Sequence, residues 1–321
     1  MIEVAPIKFT PYLKSVIWGG DKICRYKGIE QPEPNIGESW ELSAVPGHES
    51  VVEDGSYKGL TINDLIERFG KDLLGERVVM RHGNKFPLLI KFIDANDNLS
   101  VQVHPDDKLA QKRHNCPGKT EMWYIIKSEK NARIYAGLNS QLSPELYVET
   151  VNDGTFASKL KVHDSAPGDV YFLPAGMVHA IGAGNLLAEI QQSSDITYRI
   201  YDYDRKDATG QPRELHTDLA KDAIDYDLSE DSTPANYNDD LSDSEIVSCD
   251  YFVTRRVNVN SNKTVLLDNT SFSIVMCIEG SVVIHYPEGQ MNLDAGHTCL
   301  IPAMLPILTL EGNATILITQ V

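Results

Sequence analysis

Leu99-Ser-Val-Gln-Val-His-Pro105 places an amide and an imidazole two residues apart. In a β-strand such residues point to the same face, so Gln102 and His104 project together, as two metal ligands from one strand must. Glu121 opens an apolar stretch, Glu121-Met-Trp-Tyr-Ile-Ile-Lys127. A carboxylate there lies either at a rim or against a cation, because an unpaired buried charge is costly. A third segment runs Gly168-Asp-Val-Tyr-Phe-Leu-Pro174-Ala-Gly176 and reaches a histidine at His179. Singly, each histidine is more often structural than a ligand. Together, Gln102, His104, Glu121 and His179 offer two imidazoles, a carboxylate and an amide, each from or beside a strand. Imidazole with carboxylate suits zinc, and iron, manganese or cobalt are the alternatives. With one anionic ligand, a divalent ion leaves a net charge of about +1, which favours an anionic ligand and Lewis-acid chemistry. The set differs from the two-histidine, one-carboxylate triad of iron oxygenases, where H-x-D or H-x-E is usual.

A second cluster follows in Glu189-Ile-Gln-Gln-Ser-Ser-Asp195-Ile-Thr-Tyr-Arg199, continuing to Arg205. If one regular strand covers it, Glu189, Asp195 and Arg199 share a face; the plain alternative is an exposed polar face with a surface ion pair. Lys119, two residues before Glu121, joins the metal face if strand geometry extends that far.

These groups need a β scaffold, and the chain supplies one. Phe86 to Ile93 is an apolar run with the pattern of a buried strand, and the segment from Val170 to Tyr203 is strand-rich. Ile62, Leu65, Ile66, Phe69, Leu73 and Leu74 fall on one helical face that Gly70 can split, and Ser143-Pro144-Glu145 reads as a helix start. Residues 225–250 are rich in Asp, Glu, Ser and Asn and read as a solvated acidic linker. Beyond Tyr251 nearly everything has β character. GDVYFLPA at 168–175 and GHTCLIPA at 296–303 share a Gly, five residues and Pro-Ala, which points to two related β modules.

The totals exclude several classes. Net charge is −17 over 321 residues, so nucleic acid and anionic membranes are poor partners. No apolar run approaches the ~20 residues of a membrane helix, and the first residues lack the pattern of a secretory signal. The five cysteines, Cys24, Cys116, Cys249, Cys277 and Cys299, are widely spaced without CxxC, as expected of inert thiols in a reducing, cytoplasmic compartment.

Taken together, Trp18-Gly-Gly, GESWELSA at 37–44, FPLLIKFIDA at 86–95, LSVQVHP at 99–105, KTEMWYI at 119–125, PAGMVHAIGAG at 174–184 and EIQQSSDITYRIYDYDR at 189–205 carry a resemblance. The chain resembles the type I mannose-6-phosphate isomerases, zinc-dependent members of the cupin superfamily, in their short bacterial branch. The resemblance implies one zinc ion on Gln102, His104, Glu121 and His179. It places Lys119 and Arg199 in substrate binding and catalysis, Glu189 and Asp195 at active-site positions, and Ser100 and Arg205 near the phosphate of a small phosphosugar. It implies reversible interconversion of mannose 6-phosphate and fructose 6-phosphate through an enediol. The family commonly has His-Lys-Pro-Glu where this chain has Gly118-Lys119-Thr120-Glu121, which puts in doubt a ring-opening role for that His. The expected fold is mainly β: two cupin-type jelly-roll barrels with a few added helices. Residues 1–240 would form the catalytic metal-binding domain, and 251–321 a smaller, degenerate one. An iron-dependent cupin oxygenase and a non-catalytic sugar-phosphate sensor are the rival readings.

Overall fold

The structure, a computed structural model, describes residues 5–206, 210–227, 232–238 and 242–321. Three antiparallel sheets dominate it. The first has seven strands, in the order Ala235–Asn236, Asp169–Leu173, Glu121–Ser128, Asn185–Gln192, Leu88–Ala95, Ile36–Leu42 and Tyr12–Gly20. The second has five, in the order Tyr198–Tyr201, Val101–Val103, His179–Ile181, Arg133–Leu138 and Leu160–Asp164. The third has eight and is built mostly from residues after 243, with the long strands Val253–Leu266, Ser273–Tyr286 and Ile307–Gln320 at its centre. The architecture is the mainly β one expected, with added helices. Its sheets stay open among the described residues, so the cupin-type folds are made by facing sheets and not by hydrogen bonds that run right round a barrel.

The Glu121 strand shows why the residues fold this way. Trp123 and Ile125 pack in a core with Ile134, Ala136 and Ile181 of the five-stranded sheet. Met122 and Tyr124, pointing the other way, join a core with Ile62, Leu65, Leu73 and Leu74 of the helices and with Ile274 and Met276 of the third sheet. The period-two alternation therefore serves two cores at once, and both faces are apolar. The helical segment breaks as its glycines demand, into Ile62–Phe69, Lys71–Leu74 and Glu76–His82, with Gly70 at φ 49° and Gly75 at φ 89°. Ser143 caps Pro144–Asn152 through the Leu146 N–H.

The repeat is real in space. Gly168 and Gly296 both have φ 84°, and each opens a turn into a short strand, Asp169–Leu173 or Thr298–Ile301. Two features cut across the expected division of the chain. The amino-terminal strand Ile7–Thr10 pairs with Thr298–Ile301 in the third sheet. The acidic segment is more than a solvated linker: Ala235–Asn236 extends the seven-stranded sheet and Ser244–Ser248 edges the third. Residues 228–231 and 239–241 of that segment lie outside the described residues. All five cysteines are free thiols.

Candidate metal centre

Gln102 and His104 leave one strand on the same face, and His179 enters from the neighbouring strand, directly paired with Gln102. Glu121 comes from the opposing sheet, at the start of its strand. The His104 and His179 Nε2 atoms are 3.2 Å apart. Glu121 Oε1 lies 3.4 Å from His179 Nε2, and its Oε2 lies 3.6 Å from His104 Nε2. Candidate ligand atoms of these three buried residues all fall within 4.8 Å of one another. The Gln102 amide joins them, its Nε2 3.4 Å from His179 Nε2. Amide O and N are exchangeable by a half-turn, so Gln102 can present oxygen to the same centre.

The donor chemistry fits a divalent ion. Nδ1 of His104 is 2.9 Å from the Ile196 carbonyl and Nδ1 of His179 is 2.9 Å from the Met177 carbonyl. Only an Nδ1–H can donate there, so both rings are fixed as the tautomer with a lone pair on Nε2. Those lone pairs face each other beside the buried Glu121 carboxylate, whose Oε1 has no hydrogen-bond donor and whose Oε2 meets the Lys119 ammonium at 2.8 Å. Buried acceptors that converge with so few donors suit a cation between them. Burial, reinforced by the Lys119 charge, pushes His179 down to about 4 and His104 well below its usual value, so both stay neutral as ligands require. Burial pushes Glu121 up to about 7, against the opposing pull of Lys119. Zinc suits this set of two imidazoles, carboxylate and amide.

Lys119 reaches the centre from a loop, not from the strand. Its Nζ is 2.8 Å from Glu121 Oε2 and 3.0 Å from His104 Nε2. Behind it runs a row across four strands, Trp40, Lys91, Glu189 and Trp123, each paired directly with the next. Lys91 Nζ sits 2.9 Å from Glu189 Oε2 and 3.7 Å from Glu38 Oε2. Trp123 donates to Glu189 at 3.0 Å, and Trp40 to Glu38 at 2.7 Å. Burial alone would raise the Glu189 carboxyl, but Lys91 and Lys119 outweigh it and hold the group at about 2. Lys91 and Glu38 were not singled out as site residues from sequence. A lone lysine inside the apolar run FPLLIKFIDA was the available signal.

The expected convergence of Glu189, Asp195 and Arg199 on one strand does not occur. The strand ends at Gln192 and a new one starts at Tyr198 in the other sheet. Glu189 and Arg199 thus approach from opposite sheets, Arg199 directly across from Gln102. Asp195 is exposed in the connecting loop, on a cavity of about 510 Å³ that none of the four expected ligands lines. Ser100 is buried two residues before Gln102, and Arg205 binds the Asn98 carbonyl beside it.

The family model described as the phosphomannose isomerase type I catalytic domain matches residues 7–146, and that of the mannose-6-phosphate isomerase cupin domain matches 242–321. The mannose-6-phosphate isomerase ManA of Bacillus subtilis is 36% identical over 318 residues, covering 98% of each chain. The mannose-6-phosphate isomerase of Streptococcus mutans is 32% identical over 313 residues, covering 97% of each. The crystal structure of the mannose 6-phosphate isomerase from Bacillus subtilis superposes with a TM-score of 0.88 at 34% identity, over 99% of this chain and 100% of that one. A catalytic-domain match that spans the Gln102, His104 and Glu121 segments, a cupin-domain match over the third sheet, and relatives similar from end to end agree on one conclusion: the chain belongs to the type I mannose-6-phosphate isomerase family, a family of isomerases.

Proposed function

We propose that this chain interconverts mannose 6-phosphate and fructose 6-phosphate by proton transfer through an enediol, with one zinc ion held by Gln102, His104, Glu121 and His179. The observation that carries the metal reading is the pair of Nε2 lone pairs facing the buried Glu121 carboxylate, whose Oε1 has no hydrogen-bond donor. Bound there, the ion supplies Lewis acidity toward the carbonyl and hydroxyl oxygens of the open-chain sugar.

The protein supplies the rest. The two modules differ in what they offer: among the described residues, the group of imidazoles and carboxylate that could hold a metal lies in the first. The reaction takes the C2 proton of the aldose and returns a proton to C1, so it needs a group that can hold a proton between the two steps. Glu189, pinned by Lys91 and kept ionised near 2, is a weak base, and its fixed negative charge orients Lys91 and steadies cationic neighbours. Lys119 is the polar group whose Nζ lies within 3.0 Å of the ligand cluster, and it is placed to carry the proton. Arg199, on the opposite wall beside Gln102, offers the paired donors of a planar guanidinium to the anionic oxygens of the substrate. Ser100 and Arg205, next to each other through Asn98, receive the phosphate end. Asp195, exposed on a cavity that the four ligands do not line, takes no part in this chemistry.

The test is a coupled assay for fructose 6-phosphate formed from mannose 6-phosphate, with and without a chelator. Turnover that is lost on chelation and restored by zinc supports the reading. Oxygen uptake in place of isomerisation would move the chain to the oxygenase class.

A further inference from the structure

Beyond Arg199 the chain makes a strained turn. Tyr203 and Asp204 have φ of 57° and 53°, and the Arg205 N–H donates to the Asp202 carbonyl at 3.1 Å. Two successive left-handed residues make a type I′ turn, which Asn-Gly forms without strain. A tyrosine there is an outlier, and such strain persists where the surroundings over-determine it, often at ligand clamps.

The turn presents the Asp202 carboxylate, buried at 4% exposure, to two guanidiniums. Arg205 Nη2 donates to Oδ1 at 2.6 Å, and Arg213 Nε donates to Oδ2 at 2.7 Å. Arg213 Nη2 also reaches Oδ1, making a fork. An antiparallel bridge pairs Lys206 with Pro212, the chain neighbours of Arg205 and Arg213. Arg205 is fixed further by the Asn98 carbonyl and by the Tyr203 ring, 5.2 Å from its guanidinium. Arg199 stands on the adjoining strand. Its Nη1 donates to the Glu214 carbonyl at 2.8 Å, and its Nε is buried without a partner.

The charges do not balance. Two guanidiniums bond the one buried carboxylate and a third, that of Arg199, lies in its field, whereas the other acids near them, Asp97 at 3.3 Å from Arg205, Asp204 and Glu214, are exposed and screened by water. An excess of positive charge over negative among the less exposed groups is held at one place in a protein of net charge −17. Burial, and then the charges of Arg213 and Arg205, push the Arg199 guanidinium below its usual value, against the partial support of Asp202 and Glu214. A phosphate monoester brings about −1.5 to −2 at neutral pH, a charge of the sign that this excess attracts.

We propose that Arg213 is a specificity-determining residue, completing with Arg199 and Arg205 a three-guanidinium clamp, ordered around Asp202, for the phosphate of the substrate. This rests on reading the site as one for a phosphosugar. Arg213 acts by sharing Asp202. Without it, the carboxylate is left to Arg205 alone, and the excess falls by one charge.

The experiment uses the metal-loaded enzyme, the variants Arg213→Gln and Arg213→Lys, and inorganic phosphate as the probe. Arg213→Gln should raise both the KM for mannose 6-phosphate and the Ki of inorganic phosphate by about tenfold or more, as loss of a charge-assisted contact predicts, with kcat little changed. Arg213→Lys should recover most of that loss. An unchanged Ki in Arg213→Gln, or an Arg213→Lys variant equally impaired, overturns the proposal. Should Arg213→Gln not fold, phosphate binding by the wild type and Arg213→Lys is compared above and below the second pKa of inorganic phosphate. Selectivity for the dianion in both supports the clamp, and equal affinity for both ionic forms in the wild type overturns it. Arg213-dependent phosphate binding by an enzyme that does not isomerise mannose 6-phosphate would sink the proposed function and leave the clamp standing.

Discussion

Ser273 occupies in the third sheet the register position that Glu121 occupies in the first. Glu121 lies opposite Leu173 on one side and Gln191 on the other; Ser273 lies opposite Ile301 and Gln320. Leu173 and Ile301 are each the fifth residue after a glycine at φ 84°. The second copy of the module thus has a hydroxyl where the first has its carboxylate, and Ile307 stands at the offset of His179 from the preceding proline. Neither is a plausible ligand in its role. We predict one metal per chain by elemental analysis of purified protein. Two equivalents, with one of them retained when the first-module ligands are removed, would refute this.

His179→Ala should lose the metal and the activity while keeping the fold, since the ring's other contacts are one carbonyl and the edge of Trp123 at 5.4 Å. Chelation of the wild type should lower its melting temperature as well as its turnover. A ligand present at ~1,000 times its Kd stabilises the folded state by about 4 kcal/mol when it does not bind the unfolded chain. Full metal occupancy in His179→Ala would show the ligand assignment to be wrong.

Lys91→Met should destabilise the protein by about 3–5 kcal/mol at neutral pH, because it leaves Glu189 and Glu38 buried without their shared cation. The pH dependence has a definite sign. Glu189 is held at about 2 in the folded state against 4.5 ordinarily, and Lys91 is raised above 10.5. The pair's contribution is therefore fully present between about 4.5 and 10.5 and is lost as pH falls through 2. Urea unfolding at pH 7 and at pH 3 should show the gap between wild type and variant narrowing in acid. A gap of constant size would mean the two groups do not titrate as a pair.

Isomerisation in deuterium oxide should place deuterium at C2 of mannose 6-phosphate or C1 of fructose 6-phosphate. A side-chain base exchanges part of its proton with water before returning it, whereas a hydride shift carries the original hydrogen across. The cluster of His104, Glu121 and His179 accommodates one ion, and hydride-shift isomerases usually hold two. NMR of the recovered sugars measures the label. Complete retention of C2 hydrogen on transfer to C1 would count strongly against Lys119 as the proton carrier.

Local pattern was enough for some of this protein. Gln102 and His104 share a face because a strand alternates; Met122 and Trp123 serve opposite cores for the same reason; Gly70 breaks a helix and Ser143 starts one through backbone chemistry confined to a few residues. The GDVYFLPA and GHTCLIPA segments announce two copies of one module before any contact is known. Other features needed the tertiary structure. Nothing in Ser193-Ser-Asp-Ile-Thr197 is a strong breaker, yet the strand stops at Gln192, where the Ser194 N–H turns back on the Gln192 carbonyl and Gln191 binds the Ser194 carbonyl. That break sends Glu189 and Arg199 to opposite sheets. Likewise Ile7–Thr10 completes a sheet begun more than two hundred residues later, and Arg213 meets Arg205 through their shared contact with Asp202. Strand pairing and charge pairing across such distances are decided by which apolar faces must be covered and which buried charges must be matched throughout the molecule. Neighbouring residues in the chain do not encode that choice.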